Sequence, residues 1–342
     1  MTISARILLD SYFNGARLTT FELTYPRIIH AERMTHRQES KNSASSRAIP
    51  IEKMIAAVTG NPFIPIRWGA NGKGMQDHGI LPPSIATEAE RVWLEARDAA
   101  VAAAEKLEAL GVHKQISNRV LEPFSHITVI CSSTQWGNMY HLRRDKAAQP
   151  EFKALADLMW DAYHASKPEC LRDRNYWHTP LVSGVERMEI LELTRSEMGG
   201  IGPEVYSAAV EKICKVSVGR CARVSYLTHM GTRDYAADIG LHDSLMSSGH
   251  WSPFEHVARP AEYSRDRSGN FVGWTQYRKV IPLEHPFDTV DGGLRYATDT
   301  SAEAAASALD PSSGREWEGY RNFMSGGAPD RFLTTAALIC NR

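Results

Sequence analysis

Alternating hydrophobic residues early in the chain predict a strand that leads into a long polar segment. Phe21, Leu23 and Tyr25 recur at every second position within residues 20–29, as on the buried face of a β-strand. The following segment, residues 32–50, has no hydrophobic face and alternates hydroxyl and amide side chains with arginines. Its donors suit oxyanions, because a guanidinium group is a fixed, forked cation and serine and asparagine can satisfy further lone pairs.

Two interpretations of residues 32–50 stay open from the residue types alone. The segment is either an anion-binding loop or a solvated, serine-rich surface loop. The preceding strand favours the first interpretation, because side chains at the end of a strand are held rigidly.

The first helices are predicted from hydrophobic positions that recur every three or four residues. Residues 51–58 predict a short amphipathic helix that ends at Gly60. Thr87 and Glu90 form a capping box, which predicts that a long alanine-rich helix begins there and ends at Leu110.

Hydrophobic residues predict two further elements in the first half of the chain. A β-branched, apolar run at 126–131 predicts a strand. A helix is predicted from Glu151, with one hydrophobic face directed at a core. That face comprises Phe152, Leu155, Ala156, Met159, Trp160 and Tyr163.

The second half begins after a segment in which proline and glycine interrupt any longer periodicity. Residues 167–202 predict a linker with one short helix. An amphipathic helix follows over 203–218, and another helix ends at Ser248. The polar run 249–256 contains two histidines and a glutamate, but an intervening proline prevents one helical face from collecting metal ligands. We therefore predict no metal site.

Composition and charge exclude some classes of function. The 342 residues are 43% hydrophobic and 23% charged, which is typical of a soluble protein with one large core or two domains. A formal net charge of −1 argues against nucleic acid as the main partner. The five cysteines form no Cys-x-x-Cys pair, and no apolar run approaches the roughly 18 residues of a membrane helix. We expect reduced thiols and a cytoplasmic protein, in the host cytoplasm if it is viral.

The polar segment resembles the signature of the flavin-dependent thymidylate synthases (ThyX), Arg-His-Arg-x-x-Ser-x-Asn-x-x-Ser-x-Arg-Tyr. Six of its eight defined positions match. Thr35 stands where the first arginine is expected, and Ala48 stands where the tyrosine is expected. The matching residues are His36, Arg37, Ser40, Asn42, Ser45 and Arg47.

Four further segments resemble elements of the same family. Residues 118–123 resemble the Ala-Arg-x-Val-Leu-Pro element, and residues 142–151 resemble Leu-Arg-x-Asp-x-x-Ala-Gln-x-Glu. Residues 222–226 and 249–256 resemble Ala-Arg-Val-Ser-Tyr and Gly-His-x-Ser-Pro-Phe-Glu-His, which the family carries before its arginine signature. Here both lie after it, so the resemblance implies a permuted order of motifs.

The resemblance implies an α+β fold, in which a ThyX-like sheet with flanking helices contains two motif-bearing halves in permuted order. We predict a first half at 1–166, a linker at 167–202, a second half at 203–288 and a tail at 289–342. A homo-oligomer, either tetramer or dimer, is also implied, because the family builds its active sites between subunits.

The resemblance further implies a flavin-dependent methyltransferase. In this family FAD takes a hydride from NADPH, and methylenetetrahydrofolate donates a one-carbon unit to C5 of dUMP, which gives dTMP. The implied partners are therefore a deoxypyrimidine nucleotide and folate, with FAD as cofactor and NADPH as a candidate reductant. No nucleic-acid or membrane partner is expected.

The matched motifs carry the implied site residues. Arg47 and Arg119 are implied for the nucleotide phosphate, Ser45 for a close polar contact, and Arg143 for the pyrimidine carbonyls, where a cation would stabilise developing negative charge. Ser45 and Arg143 are thus the implied catalytic residues. The candidates for flavin binding are His36, Arg37, Asn138, His250, Ser252 and Glu255.

Three departures from the family pattern leave other functions open. Thr35 removes a cation, Ala147 replaces a flavin-stacking histidine, and Glu32 stands near a nucleotide-binding glutamine, where it could accept from an exocyclic amine. One alternative is therefore 5-hydroxymethylation of dUMP or dCMP for modified viral DNA, with water capturing the one-carbon unit. A further alternative is a non-catalytic flavin- or nucleotide-binding protein, although such a scaffold would not need three arginine-bearing elements.

Overall fold

A computed structural model describes residues 3–171, 173–231 and 233–281, and these residues form two compact units. The predicted tail, residues 289–342, lies outside the described residues. Among the described residues, the first unit contains 3–11, 17–169 and 222–231, and the second contains 12–16, 170–171, 173–221 and 233–281. The predicted division into family halves at 166 and 202 stays a prediction.

A five-stranded sheet with the strand order β3-β4-β2-β1-β5 forms the centre of the first unit. Strand β2 pairs antiparallel with β4, from Thr19 opposite Ser133 to Pro26 opposite His126. Strand β3 also pairs with β4, and β3 is the edge strand at this end of the sheet. The predicted strand at 126–131 is confirmed as β4. The strand predicted at 20–29 is confirmed as β2 only as far as Pro26, because Arg27–Ile29 form a 3-10 helix. The strands are β1 (Ser4–Phe13), β2 (Ala16–Pro26), β3 (Ser40–Ser43), β4 (His126–Ser133) and β5 (Glu169–Cys170).

Helices cover this sheet and complete the hydrophobic core of the first unit. Phe21, Leu23 and Tyr25 of β2 are fully buried, as their alternation predicted. They share a core cluster with Phe152 and Leu155, which are also fully buried. Burial of each such side chain stabilises the folded state by about 1.5–3 kcal/mol. The helices are α1 (His30–Arg33), α2 (Ile51–Gly60), α3 (Pro83–Ala109), α4 (Lys114–Ser117), a 3-10 helix (Asn118–Phe124), α5 (Gly137–Arg143) and α6 (Pro150–Ala165).

Helix α3 begins four residues before the predicted capping box, so that prediction was wrong. Pro83 occupies its first turn, where the missing N–H group would have had no partner within the helix. The Thr87 hydroxyl donates to the Pro83 carbonyl oxygen at 3.0 Å inside the helix. The helix ends as predicted, and Gly111 follows with a φ of +78°, a left-handed conformation that glycine adopts without strain.

In its described part, the second unit contains the helices α7, α8 and α9 and short strands. Helix α7 has fifteen residues, so it is longer than the short helix that was predicted. Gly219 marks a close approach, because a Cβ atom there would lie 2.3 Å from the Asp238 carbonyl oxygen. The helices are α7 (Gly184–Met198), α8 (Pro203–Ala222) and α9 (Tyr235–Ser247), and the strands are β6 (Ala258–Pro260), β7 (Arg267–Ser268), β8 (Phe271–Val272) and β9 (Trp274–Gln276).

Helices and the central sheet together agree with the expected combination of α and β structure, while the permuted order of motifs stays a prediction. Among the helices of the described ranges, none is both long enough and apolar enough to cross a membrane.

Candidate functional site

Three predicted site residues meet at the C-terminal end of α5. Nε of Arg143 donates to Nε2 of His36 at 2.8 Å, and Nη1 donates to the carboxylate of Glu32. The guanidinium group also lies over the Phe152 ring, 4.6 Å from its centroid. Because only 17% of the Arg143 side chain is exposed, these contacts fix the direction of a shielded cation. Neither hydrogen bond uses Nη2, which can still donate to a ligand.

His36 is a neutral hydrogen-bond acceptor in this arrangement. Burial is the main cause that lowers its pKa to about 4; the Glu39 charge opposes the shift, and the charges of Arg33 and Arg143 add to it. Since Arg143 donates to Nε2, the proton of the neutral ring is assigned to Nδ1. The ring edge also contacts Phe152, with centroids 5.6 Å apart. His36 therefore orients the arginine instead of adding a second positive charge beside it.

A buried ion network that the sequence analysis missed lies next to His36. Arg33 pairs with Glu39, and their side chains are 0% and 1% exposed. Nζ of Lys41 lies 3.6 Å from the same carboxylate and donates to the His36 carbonyl oxygen. The Cys131 thiol donates to Glu39 at 3.0 Å, and burial followed by the Glu39 charge raises its pKa. This network holds the backbone that carries His36.

Arg119, which was predicted for the nucleotide phosphate, contacts a carboxylate that was not predicted as a site residue. Oε1 of Glu122 accepts from Oγ of Ser46 at 2.6 Å and from Nη1 of Arg119 at 2.8 Å. Nη2 of Arg27 lies 3.0 Å from the same oxygen. The sequence offered a signal for two of these residues, because Arg27 directly follows β2 and Glu122 lies inside the matched element 118–123.

Ser45 and Arg47 lie on a loop that is fixed from two sides. The Ser45 N–H group donates to the carbonyl oxygen of Ser225 at 3.0 Å, so the resembling segment 222–226 contacts the arginine signature. Asn118 donates to the Ser46 carbonyl oxygen at 2.7 Å. Oγ of Ser45 accepts from the Arg47 N–H group at 3.3 Å, and the Arg47 side chain is exposed. The loop therefore presents a cation on a rigid backbone.

The candidates for flavin binding are distributed over both units. In the first unit, Arg37 and Asn138 are exposed, and their side chains have no hydrogen-bond or ion-pair partner among the described residues. Their donors are therefore available to the carbonyl and phosphate oxygens of a flavin nucleotide, and in this respect they fit FAD.

The remaining flavin candidates lie in the second unit. His250 is exposed, and its Nδ1 lies 2.9 Å from Oγ of Ser248. Ser252 begins a 3-10 helix, and Glu255 at the end of that helix pairs with Arg278. Within the described ranges, no group of three histidine, cysteine or acidic side chains could hold a metal ion.

One family model matches part of the chain and agrees with the family resemblance. Residues 11–169 match the model of the family described as thymidylate synthase complementing protein. One similar solved structure is the UMP/dUMP methylase PolB from Streptomyces cacaoi bound with 5-Br UMP, at 15% identity and a TM-score of 0.40, covering 47% of this chain and 88% of that one. The same enzyme bound with 5-Br dUMP gives 14% identity and a TM-score of 0.39 over 47% and 89%.

No curated protein sequence matches the chain. The matched range contains the arginine signature and the two elements at 118–123 and 142–151, whereas the segments at 222–226 and 249–256 lie beyond it. The predicted resemblance is thus confirmed for residues 11–169, which match the model of the thymidylate synthase complementing protein family.

Proposed function

We propose that this protein transfers a one-carbon unit from methylenetetrahydrofolate to C5 of a deoxypyrimidine monophosphate, with dUMP converted to dTMP. The observation that carries the proposal is the guanidinium group of Arg143, held by Glu32 and His36 within the family-matched residues. Bond formation at C5 places negative charge on the pyrimidine carbonyl oxygens. A cation that is already oriented stabilises this charge without reorganisation, and Nη2 of Arg143 is the donor that its protein contacts leave available.

FAD is the cofactor that the family match supports, and when bound it supplies the reducing equivalents that complete the methyl group. In the first unit we assign Arg37 and Asn138 to its oxygens, because both side chains are exposed donors. His36 supports the site indirectly through Arg143. The roles of His250, Ser252 and Glu255, the use of NADPH and the homo-oligomer stay predictions.

A second candidate function is 5-hydroxymethylation of dUMP or dCMP. Glu32 favours it, because its carboxylate lies beside Arg143 and could accept from the exocyclic amine of cytosine while the arginine donates to a carbonyl oxygen. Ala147 also favours it, since this exposed residue between α5 and α6 offers no aromatic ring to cover a flavin. Water would then have access to the one-carbon unit.

The reaction products distinguish these functions. The protein is incubated with FAD, methylenetetrahydrofolate and either dUMP or dCMP, with and without NADPH. Mass spectrometry then measures the masses of the nucleotide products. We expect a methyl group on dUMP, and a hydroxymethyl group on either nucleotide would establish the second function instead. Reactions without folate serve as the control. Stoichiometric binding of FAD and nucleotide without any product would identify a non-catalytic binding protein.

Replacing Arg47 with lysine is expected to weaken nucleotide binding by roughly tenfold to a hundredfold while FAD binding barely changes. A forked guanidinium can hold two phosphate oxygens, whereas lysine offers a point charge. Loss of one charge-assisted hydrogen bond costs about 1.5–3 kcal/mol, and each 1.4 kcal/mol is tenfold in affinity. Titration of both ligands measures the effect, with Arg91→Lys on exposed helix α3 as the matched control. The assignment fails if FAD affinity collapses and nucleotide affinity stays unchanged.

A further inference from the structure

Three donors from three separate parts of the first unit converge on a single carboxylate oxygen. Oε1 of Glu122 lies 2.6 Å from Oγ of Ser46, 2.8 Å from Nη1 of Arg119 and 3.0 Å from Nη2 of Arg27. Arg27 follows β2, Ser46 follows β3, and Arg119 lies in the 3-10 helix that contains Glu122. Two guanidinium groups and a hydroxyl group around one oxyanion are the donor set that proteins use for phosphate.

Backbone contacts fix this group of donors. The Arg27 N–H group donates to the Ser125 carbonyl oxygen at 2.9 Å. The N–H and hydroxyl groups of Ser125 both donate to the Glu122 carbonyl oxygen, at 3.1 and 2.9 Å. Asn118 holds the Ser46 carbonyl oxygen, so the loop that supplies the third donor is also fixed. The donors are thus placed by the backbone and not only by the Glu122 carboxylate.

The carboxylate at the centre is accessible and only partly neutralises its surroundings. The side chains of Arg27, Glu122 and Arg119 are 15%, 23% and 49% exposed, so solvent and solutes reach them. Burial lowers the pKa of Arg27, and the Arg119 charge lowers it further while Glu122 opposes the shift. The two cations are therefore close enough to repel each other. A phosphate monoester, with a charge of about −1.5 to −2 at neutral pH, would balance them better than one carboxylate.

We propose that Arg27, Ser46 and Arg119 form the phosphate cradle of the nucleotide site, and that the Glu122 carboxylate occupies this cradle as an internal counter-anion. The phosphate of the nucleotide binds by displacing it. The inference rests on the proposed function and deepens it: Arg27 and Ser46 join the predicted phosphate ligands, and Glu122 sets the affinity for phosphate. Exchange of one anion for another also makes the cradle selective for a nucleotide over the corresponding nucleoside.

Glu122→Gln tests the exchange, because glutamine keeps the size and the acceptor oxygen but removes the charge. We expect inorganic phosphate and dUMP to bind about tenfold more tightly to this variant, because two guanidinium groups lose a charged acceptor that competes with the ligand. Deoxyuridine should bind with unchanged affinity. Isothermal titration calorimetry at low ionic strength measures the affinity for each of the three ligands. Glu52→Gln on the exposed face of α2 is the matched control. It changes the net charge by the same amount, but it lies in a different element, far from Glu122 in sequence.

Two further variants keep the result decisive. Arg27→Gln combined with Glu122→Gln should lose the gain in phosphate affinity, which tests Arg27 as a ligand. Glu122→Ala should show the same gain as Glu122→Gln, and it replaces that variant if glutamine prevents folding.

Equal or weaker phosphate binding in the Glu122 variants, including no binding by any protein, overturns the exchange. If the variants gain affinity for inorganic phosphate but no protein binds dUMP, the cradle stands and the proposed function fails. Equal dUMP affinity in wild type and variants, with turnover intact, leaves the function standing and rejects the exchange.

Discussion

Replacing Arg33 with methionine is expected to lower the free energy of unfolding by ~3–5 kcal/mol. Arg33 and Glu39 form an ion pair with both side chains withdrawn from water. Removal of the cation would leave the Glu39 carboxylate buried beside the Cys131 thiol, with Lys41 as a more distant positive charge. An uncompensated buried charge costs far more than the pair contributes. Chemical denaturation measures the loss.

The double variant Arg33→Met, Glu39→Gln separates the buried charge from the lost packing. Because no charge of this pair is then left without its partner, we expect the double variant to recover a large part of the stability lost by Arg33→Met alone. Arg91→Met, which breaks exposed ion pairs on α3, should cost no more than about 1 kcal/mol. Strictly additive losses in the double variant would show that the two residues contribute independently.

Stability is expected to fall steeply as the pH is lowered from about 6.5 to about 4. Burial is the first cause that lowers the pKa values of His30, His36 and His126 to about 4 and that of His256 to about 3. The unfolded chain takes up these protons near pH 6.5, whereas the folded protein resists them. Their stabilising effect is therefore fully present above pH 6.5 and is lost toward the folded pKa values.

The pH window separates this effect from that of the carboxylates. Glu22, Glu186 and Asp157 have lowered pKa values, so their stabilising contributions are lost below the ordinary carboxyl range, under about pH 4.5. Denaturation curves at several pH values measure the slope. In a His256→Asn variant the slope between pH 6.5 and 4.5 should be shallower, whereas the exposed His141→Asn should leave it unchanged. A flat stability down to pH 4.5 would contradict the assignment.

The local sequence pattern predicted burial correctly where a side chain's environment depends on the residues next to it in sequence. The alternation of Phe21, Leu23 and Tyr25 reports burial on one face of a strand, and β2 confirms it. Thr87 shows the limit of the same approach. Its spacing to Glu90 satisfies the capping pattern, yet Pro83 already has the backbone geometry of a first turn, and the helix begins there.

The sequence predicted some residues of the candidate site but none of the contacts among them. Motif positions identified Glu32, His36 and Arg143, and the hydrogen bonds among them follow only from the fold. The sequence does not reveal that Arg33 and Glu39 form a buried ion pair. Burial of this pair depends on the register that places β3 beside Cys131 of β4. The role of Glu122 likewise depends on three segments that meet only after folding.

The first unit also has a consequence for synthesis, because residues 222–231 complete it only after residues 170–221 of the second unit have been made. Nε2 of His229 lies 2.6 Å from Glu22, 207 residues earlier in the chain. At roughly 5–20 residues per second, the ribosome needs about 10–40 s to add that much chain. During this interval β2 has emerged without its last partner, and the loop with Ser45 lacks the Ser225 carbonyl oxygen that fixes it. The loop that carries Ser45 is therefore fixed only after Ser225 has been synthesised, 180 residues later in the chain.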